Sequence, residues 1–79
     1  MPKLTNLSPK KVIQFLLDYG FEEIRKKSRG RGDHRYFYNK KLEAFTQVDT
    51  GKRSLGSIVY SIIKQSKIDK SVWKNHFGV

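Results

Sequence analysis

Two neighbouring runs, residues 34–38 and 42–48, leave this chain few ways to fold. The first, His34-Arg35-Tyr36-Phe37-Tyr38, is dense in aromatics, which pack well on a pleated strand. In the second, Leu42, Ala44, Thr46 and Val48 alternate with Glu43, Phe45 and Gln47. That period of two commits one set of side chains to a buried face and the other to solvent. Asn39-Lys40-Lys41 lies between the runs and has the chemistry of a tight turn. Residues 21–27, Phe21 to Lys27, read as a further strand ahead of the pair, so three strands form an antiparallel meander.

The flanks read as helices. Ser8 is an N-cap, Pro9 occupies the first helical position, and Gly20 closes the helix in the left-handed conformation. Between them Val12, Ile13, Phe15, Leu16, Leu17 and Tyr19 form a broad apolar arc, with Lys10, Lys11, Gln14 and Asp18 on the rest. After the meander, Ser54 or Ser57 caps a second helix whose apolar stripe is Ile58, Val59, Ile62 and Ile63, with Ser61, Lys64 and Gln65 facing away. Asp69 caps a short final helix carrying Val72, Trp73 and Phe77, in which Trp73 reads as a lid over the end of the core. Residues 1–7 read as a loosely held arm. The whole, residues 1–79, is one domain of the α+β class with the order α-β-β-β-α and a short helix appended.

Two helices cover one face of so small a sheet and leave the other wet. Parity then puts His34, Tyr36 and Tyr38 on one side of the middle strand and Arg35 and Phe37 on the other, with Phe37 inward. His34 is therefore expected on the open side at the start of its strand. It lies between two basic loops, residues 28–33 with Gly30 and Gly32, and residues 49–53 with Lys52 and Arg53.

A formal charge of +10 on 79 residues calls for a polyanionic partner. Nucleic acid comes first, then an acidic protein, then an anionic membrane. No apolar run reaches membrane-spanning length, and the N-terminus shows no signal-peptide core. The lack of cysteine excludes disulfides and thiolate metal sites and agrees with a cytoplasmic location. No carboxylate pair, metal-ligand cluster or serine nucleophile motif is evident, and the two loop glycines are too few for a nucleotide-binding loop. His76 near the C-terminus carries no functional expectation.

The α-β-β-β-α order resembles the double-stranded RNA-binding domain, with a three-stranded antiparallel sheet and its helices on one face. Three stretches resemble the HicA family of toxin mRNA interferases more specifically. These are the helix from Ser8 to Gly20 followed by an aromatic, the triplet Gly32-Asp33-His34 opening the second strand, and Gly56-Ser57-Ile58-Val59-Tyr60-Ser61-Ile62-Ile63-Lys64-Gln65, which is similar to the family's Gly-Thr-Leu-x-x-Ile-Leu-x-Gln helix. Together they span nearly the whole chain in the family's order.

The resemblance implies a metal-independent endoribonuclease, the toxin of a type II toxin–antitoxin pair, with mRNA as substrate and an acidic HicB-like antitoxin as partner. It implies no cofactor. RNA cleavage needs a base for the 2′-hydroxyl or an acid for the leaving oxygen, and imidazole suits either role. His34 is the candidate catalytic residue, with Asp33 a candidate to orient it. Lys26, Lys27, Arg29, Arg31, Arg35, Lys52 and Arg53 are the candidate RNA-binding cations. Tyr36 and Tyr38 are candidates for stacking on bases, although strand packing alone also accounts for them. Where many members of the family place a second histidine this chain has Arg35, and the Pro-x-His segment that often follows the third strand is absent. A non-catalytic RNA-binding module of the same fold is therefore the alternative.

Overall fold

A computed structural model of the chain describes residues 3–24 and 34–79. Among them a 3-10 turn (Leu4–Asn6) precedes α1 (Pro9–Asp18), β1 (Glu22–Ile24), β2 (His34–Asn39), β3 (Ala44–Asp49), α2 (Ile58–Ser66) and α3 (Lys70–Phe77). The strands form one antiparallel sheet in the order β1-β2-β3, an α+β arrangement with three helices. No helix among the described residues is long and apolar enough to cross a membrane.

Local chemistry sets the limits of α1. The Ser8 hydroxyl accepts a hydrogen bond from the Lys11 N–H at 3.3 Å, and Pro9 begins the helix where its missing donor costs nothing. At the other end Gly20 takes a φ of +94°, its N–H donates to Leu17, and the Phe21 N–H reaches back to Leu16 at 2.9 Å. This is a Schellman closure, in which the glycine reverses the chain and Phe21 drops into the core beside the last turn. The reversal delivers Glu22 directly into β1.

Register fixes the two faces of the sheet. Glu22 lies opposite Tyr38 and Ile24 opposite Tyr36, while Tyr36 faces Gln47 and Tyr38 faces Phe45. The other parity carries Phe37, Ala44, Thr46 and Val48, all buried under α1 and α2. Four residues, Lys40 to Glu43, join β2 to β3, and the Asn39 side chain holds the join. Its Oδ1 accepts from the Leu42 N–H at 3.0 Å and its Nδ2 donates to the Tyr19 carbonyl at 3.1 Å. One amide thus ties the hairpin turn to the end of α1.

The core centres on stacked rings. Phe15 lies 3.8 Å from Trp73 and 4.2 Å from Tyr19, centroid to centroid. Trp73 is fully buried, and its indole N–H donates to the Ser66 hydroxyl at 3.3 Å. That hydroxyl also donates to the Ile63 carbonyl and accepts from the Ile68 N–H, so the turn between α2 and α3 is pinned around one serine.

Several expectations are corrected here. Trp73 is an interior residue and not a lid, because α3 folds back over α2 and α1. Of the arm expected over residues 1–7, residues 3–7 are not loosely held. Leu4 and Leu7 are buried, and the N–H groups of Leu55 and Gly56 donate to the carbonyls of Leu7 and Thr5 at 2.9 and 3.0 Å. The buried stripe of α1 is narrower than its apolar arc, since Leu17 and Tyr19 remain exposed. Leu42 falls in the turn rather than in β3 and is 37% exposed; Ile58 starts α2 on its outer side and is 39% exposed. Gln65 points outward as expected, yet its side-chain oxygen accepts from the buried Thr46 hydroxyl at 2.7 Å. Ser57 is the cap residue of α2, but its side chain makes no capping bond. Of the strand expected over residues 21–27, Glu22–Ile24 is strand and residues 25–27 lie outside the described residues.

Candidate nucleic-acid interface

The described candidates His34, Arg35, Lys52 and Arg53 lie toward one end of the sheet, where β2 begins and β3 ends. His34 is the first residue of β2 and is exposed. The register puts it directly opposite Asp49, the last residue of β3, and both belong to the open face. The Asp49 carboxylate accepts from the Gly51 N–H at 2.9 Å, an Asx turn that starts the second basic loop. Asp49 is thus the carboxylate that the fold sets across from the imidazole. Asp33, the sequence candidate for that role, lies outside the described residues.

Arg35 takes the other face, with Phe37. Its guanidinium meets Glu23 in a bidentate pair, Nε to Oε2 at 2.8 Å and Nη2 to Oε1, and sits 5.9 Å from the Phe37 ring centroid. The hydrogen bond to Glu23 raises the Arg35 pKa above its ordinary value, against a small opposing effect of burial. The pair is partly exposed, so it orders the guanidinium more than it stabilises the fold.

Arg35, Lys52 and Arg53 come together. They line a cleft of about 510 Å³ with Lys10 and Ser8 from the start of α1, Thr50 from the loop, and Ile13 and Leu17 as an apolar wall. Four cations around one concavity suit a phosphate or carboxylate. His34 does not line this cleft, so the structure separates the imidazole from the arginine next to it in sequence by the thickness of the sheet. The other candidate cations, Lys26, Lys27, Arg29 and Arg31, lie outside the described residues.

Sequence reading missed Lys10, Glu23 and Asp49. Lys10 belongs to the polar arc of α1, and only the return of residues 50–53 toward the start of α1 gives it company. Glu23 and Asp49 acquire their positions from strand register, which no local pattern displays. His76 packs edge-on against Phe15 at 5.0 Å between ring centroids and near Tyr19 at 5.7 Å, a packing role at the end of α3. Among the described residues no three His, Asp or Glu side chains gather as metal ligands. Comparison with protein-family models, curated proteins and solved structures gives no match in any of the three.

Proposed function

We propose that this chain is an RNA-cleaving toxin of the HicA type with a double-stranded-RNA-binding-domain-like fold, acting in the cytoplasm without a metal and held in check by an acidic HicB-like antitoxin. One observation carries the reading: an exposed imidazole, His34, stands on the open face opposite Asp49, at the end of the sheet from which the loop bearing Lys52 and Arg53 leaves. In the reaction the 2′-hydroxyl gives up its proton and attacks the adjacent phosphorus, the bond to the 5′-oxygen breaks, and that oxygen takes a proton. His34 moves one of these protons and solvent the other. Cations that reach the open face would hold the phosphate and offset the charge that builds on its oxygens. Lys26, Lys27, Arg29 and Arg31 supply four further cations in the sequence shortly before His34. An antitoxin with a net negative charge would cover His34 and neutralise its surround together.

The test is incubation of wild type and His34→Ala with single-stranded RNA in EDTA. Wild type is expected to cleave, and the variant to lose about 10²–10⁴-fold in rate while retaining affinity. Intact RNA that is nevertheless retarded in a gel would transfer the chain to a second reading, a non-catalytic RNA-binding module. The separation of His34 from the cationic cleft favours that reading. If there were neither cleavage nor salt-sensitive retardation, both readings would be wrong.

A further inference from the structure

The open face of the sheet is not the polar surface that a merely solvated strand pair would present. Tyr38 and Phe45 stand directly opposite each other there and are 37% and 42% exposed. Tyr36 stacks on Phe45 at 6.0 Å with its ring inclined by 22°. Three large rings on one face, on a chain carrying +10, combine apolar area with long-range attraction for polyanions. Phosphate contacts alone would not require the rings, and an apolar protein partner would not require the charge. Single-stranded nucleic acid uses both, since every base has a face to stack and every linkage a negative charge.

The layout along β2 agrees. His34, Tyr36 and Tyr38 share a face at steps of about 7 Å, twice the rise per residue. An unstacked nucleotide step is of the same order. Beyond Tyr38 the face runs into a second cleft, of about 290 Å³, lined by Tyr19, Tyr38, Asn39, Lys40 and Lys41 with Glu22 at its side. Two tyrosines and two lysines are among the residues that line it. The Glu22 carboxylate repels a phosphate placed beside it but accepts from the exocyclic amino group of a base.

We infer that this face is a base-stacking platform for single-stranded RNA, with Tyr38 and Phe45 as its principal rings and the Tyr19–Tyr38 cleft as its far end. The inference rests on the RNA reading of His34 and extends it, because the strand would run along β2 with the scissile linkage at the His34 end. A duplex hides its base faces and would gain nothing from the platform.

The experiment uses the full chain carrying His34→Ala, so that RNA survives, with and without Tyr38→Val or Phe45→Val. Valine keeps strand propensity, and both rings are surface-exposed, so the fold is expected to persist; circular dichroism checks it. Affinity is measured for a single-stranded 12-mer, an abasic 12-mer with the same phosphates, and a duplex. Each ring variant is expected to lose roughly 5- to 100-fold on the intact strand and nothing on the abasic one, with an unchanged salt dependence. Equal affinity for intact and abasic strands, or ring variants that bind like their parent, would overturn the platform. So would equal losses on both probes. The two proposals fail separately: cleavage by wild type with silent ring variants sinks the platform alone, whereas ring-dependent binding without cleavage sinks the nuclease alone.

Discussion

The carboxylate of Glu23 lies against the guanidinium of Arg35 across β1 and β2, 2.8 Å from Oε2 to Nε, on the face opposite His34. One cation of the cleft is therefore already engaged. The pair itself is partly exposed and contributes at most about 1 kcal/mol. Removing the Glu23 charge frees a bidentate donor.

Glu23→Gln is accordingly expected to tighten RNA binding at low salt and to steepen the dependence of log affinity on log salt by about 0.7, one phosphate's worth on a single strand. Fluorescence anisotropy over a salt series reads both. Glu43→Gln, which removes the same charge from the β2–β3 turn at a residue that lines neither cleft, serves as the control. An unchanged slope in Glu23→Gln would mean that Arg35 does not contact phosphate.

Lys52 and Arg53 sit on the rim of the same cleft and are exposed. Replacing both by alanine is expected to flatten the salt slope by about 1.4 on single-stranded RNA while leaving the melting temperature nearly unchanged. Loss of affinity with the slope retained would assign the contacts to Lys40 and Lys41 instead.

Trp73 fills the centre of the core and satisfies Ser66. Trp73→Ala is expected to cost about 3–5 kcal/mol, a large share of the stability of a domain this small. Trp73→Phe, which keeps the stacking on Phe15 but loses the indole N–H, is expected to cost less, about 1–3 kcal/mol. Urea unfolding followed by far-ultraviolet circular dichroism measures both. A mild effect of Trp73→Ala would contradict its interior placement.

The Asp69 carboxylate caps α3 by accepting from the hydroxyl and the N–H of Ser71, at 3.1 Å for the latter. Those bonds, the hydroxyl's foremost, hold its pKa below the ordinary carboxylate value. A lowered folded pKa contributes stability that is present above the unfolded pKa and lost as pH falls through the folded one. The gap in melting temperature between wild type and Asp69→Ala is therefore expected to be steady near neutrality and to close in acid. A gap that persists unchanged at the lowest pH would show that the carboxylate's charge is not what caps the helix.

The helix ends, the parity of β3 and the inward Phe37 were legible because each depends on residues a few positions apart. Ser8-Pro9 and Gly20 limit α1 from within it, and Ala44, Thr46 and Val48 alternate in plain view. Leu42 and Ile58 misled because an apolar residue at the edge of a pattern looks like a member of it; the chain turns at one and has just begun to coil at the other. Trp73 looked peripheral because burial at the end of a chain depends on how a helix folds back, which Ser66 and Asp69 decide without a periodic signature. For the site, His34 and its open face followed from period two. The partners of Arg35 and the company of Lys10 did not, because both come from strand and loop pairing over long separations.

The backbone bonds that join Thr5 and Leu7 to Gly56 and Leu55 have an effect at a distance from themselves. Leu55 anchors the chain two residues after Arg53, and Asp49 anchors it three residues before Lys52, so the stretch bearing both cations is tethered at each end. Much of the conformational freedom such a stretch would otherwise surrender on meeting a ligand is already gone when the protein folds. Residues that touch no substrate thereby set how little entropy remains to be lost at the moment of capture.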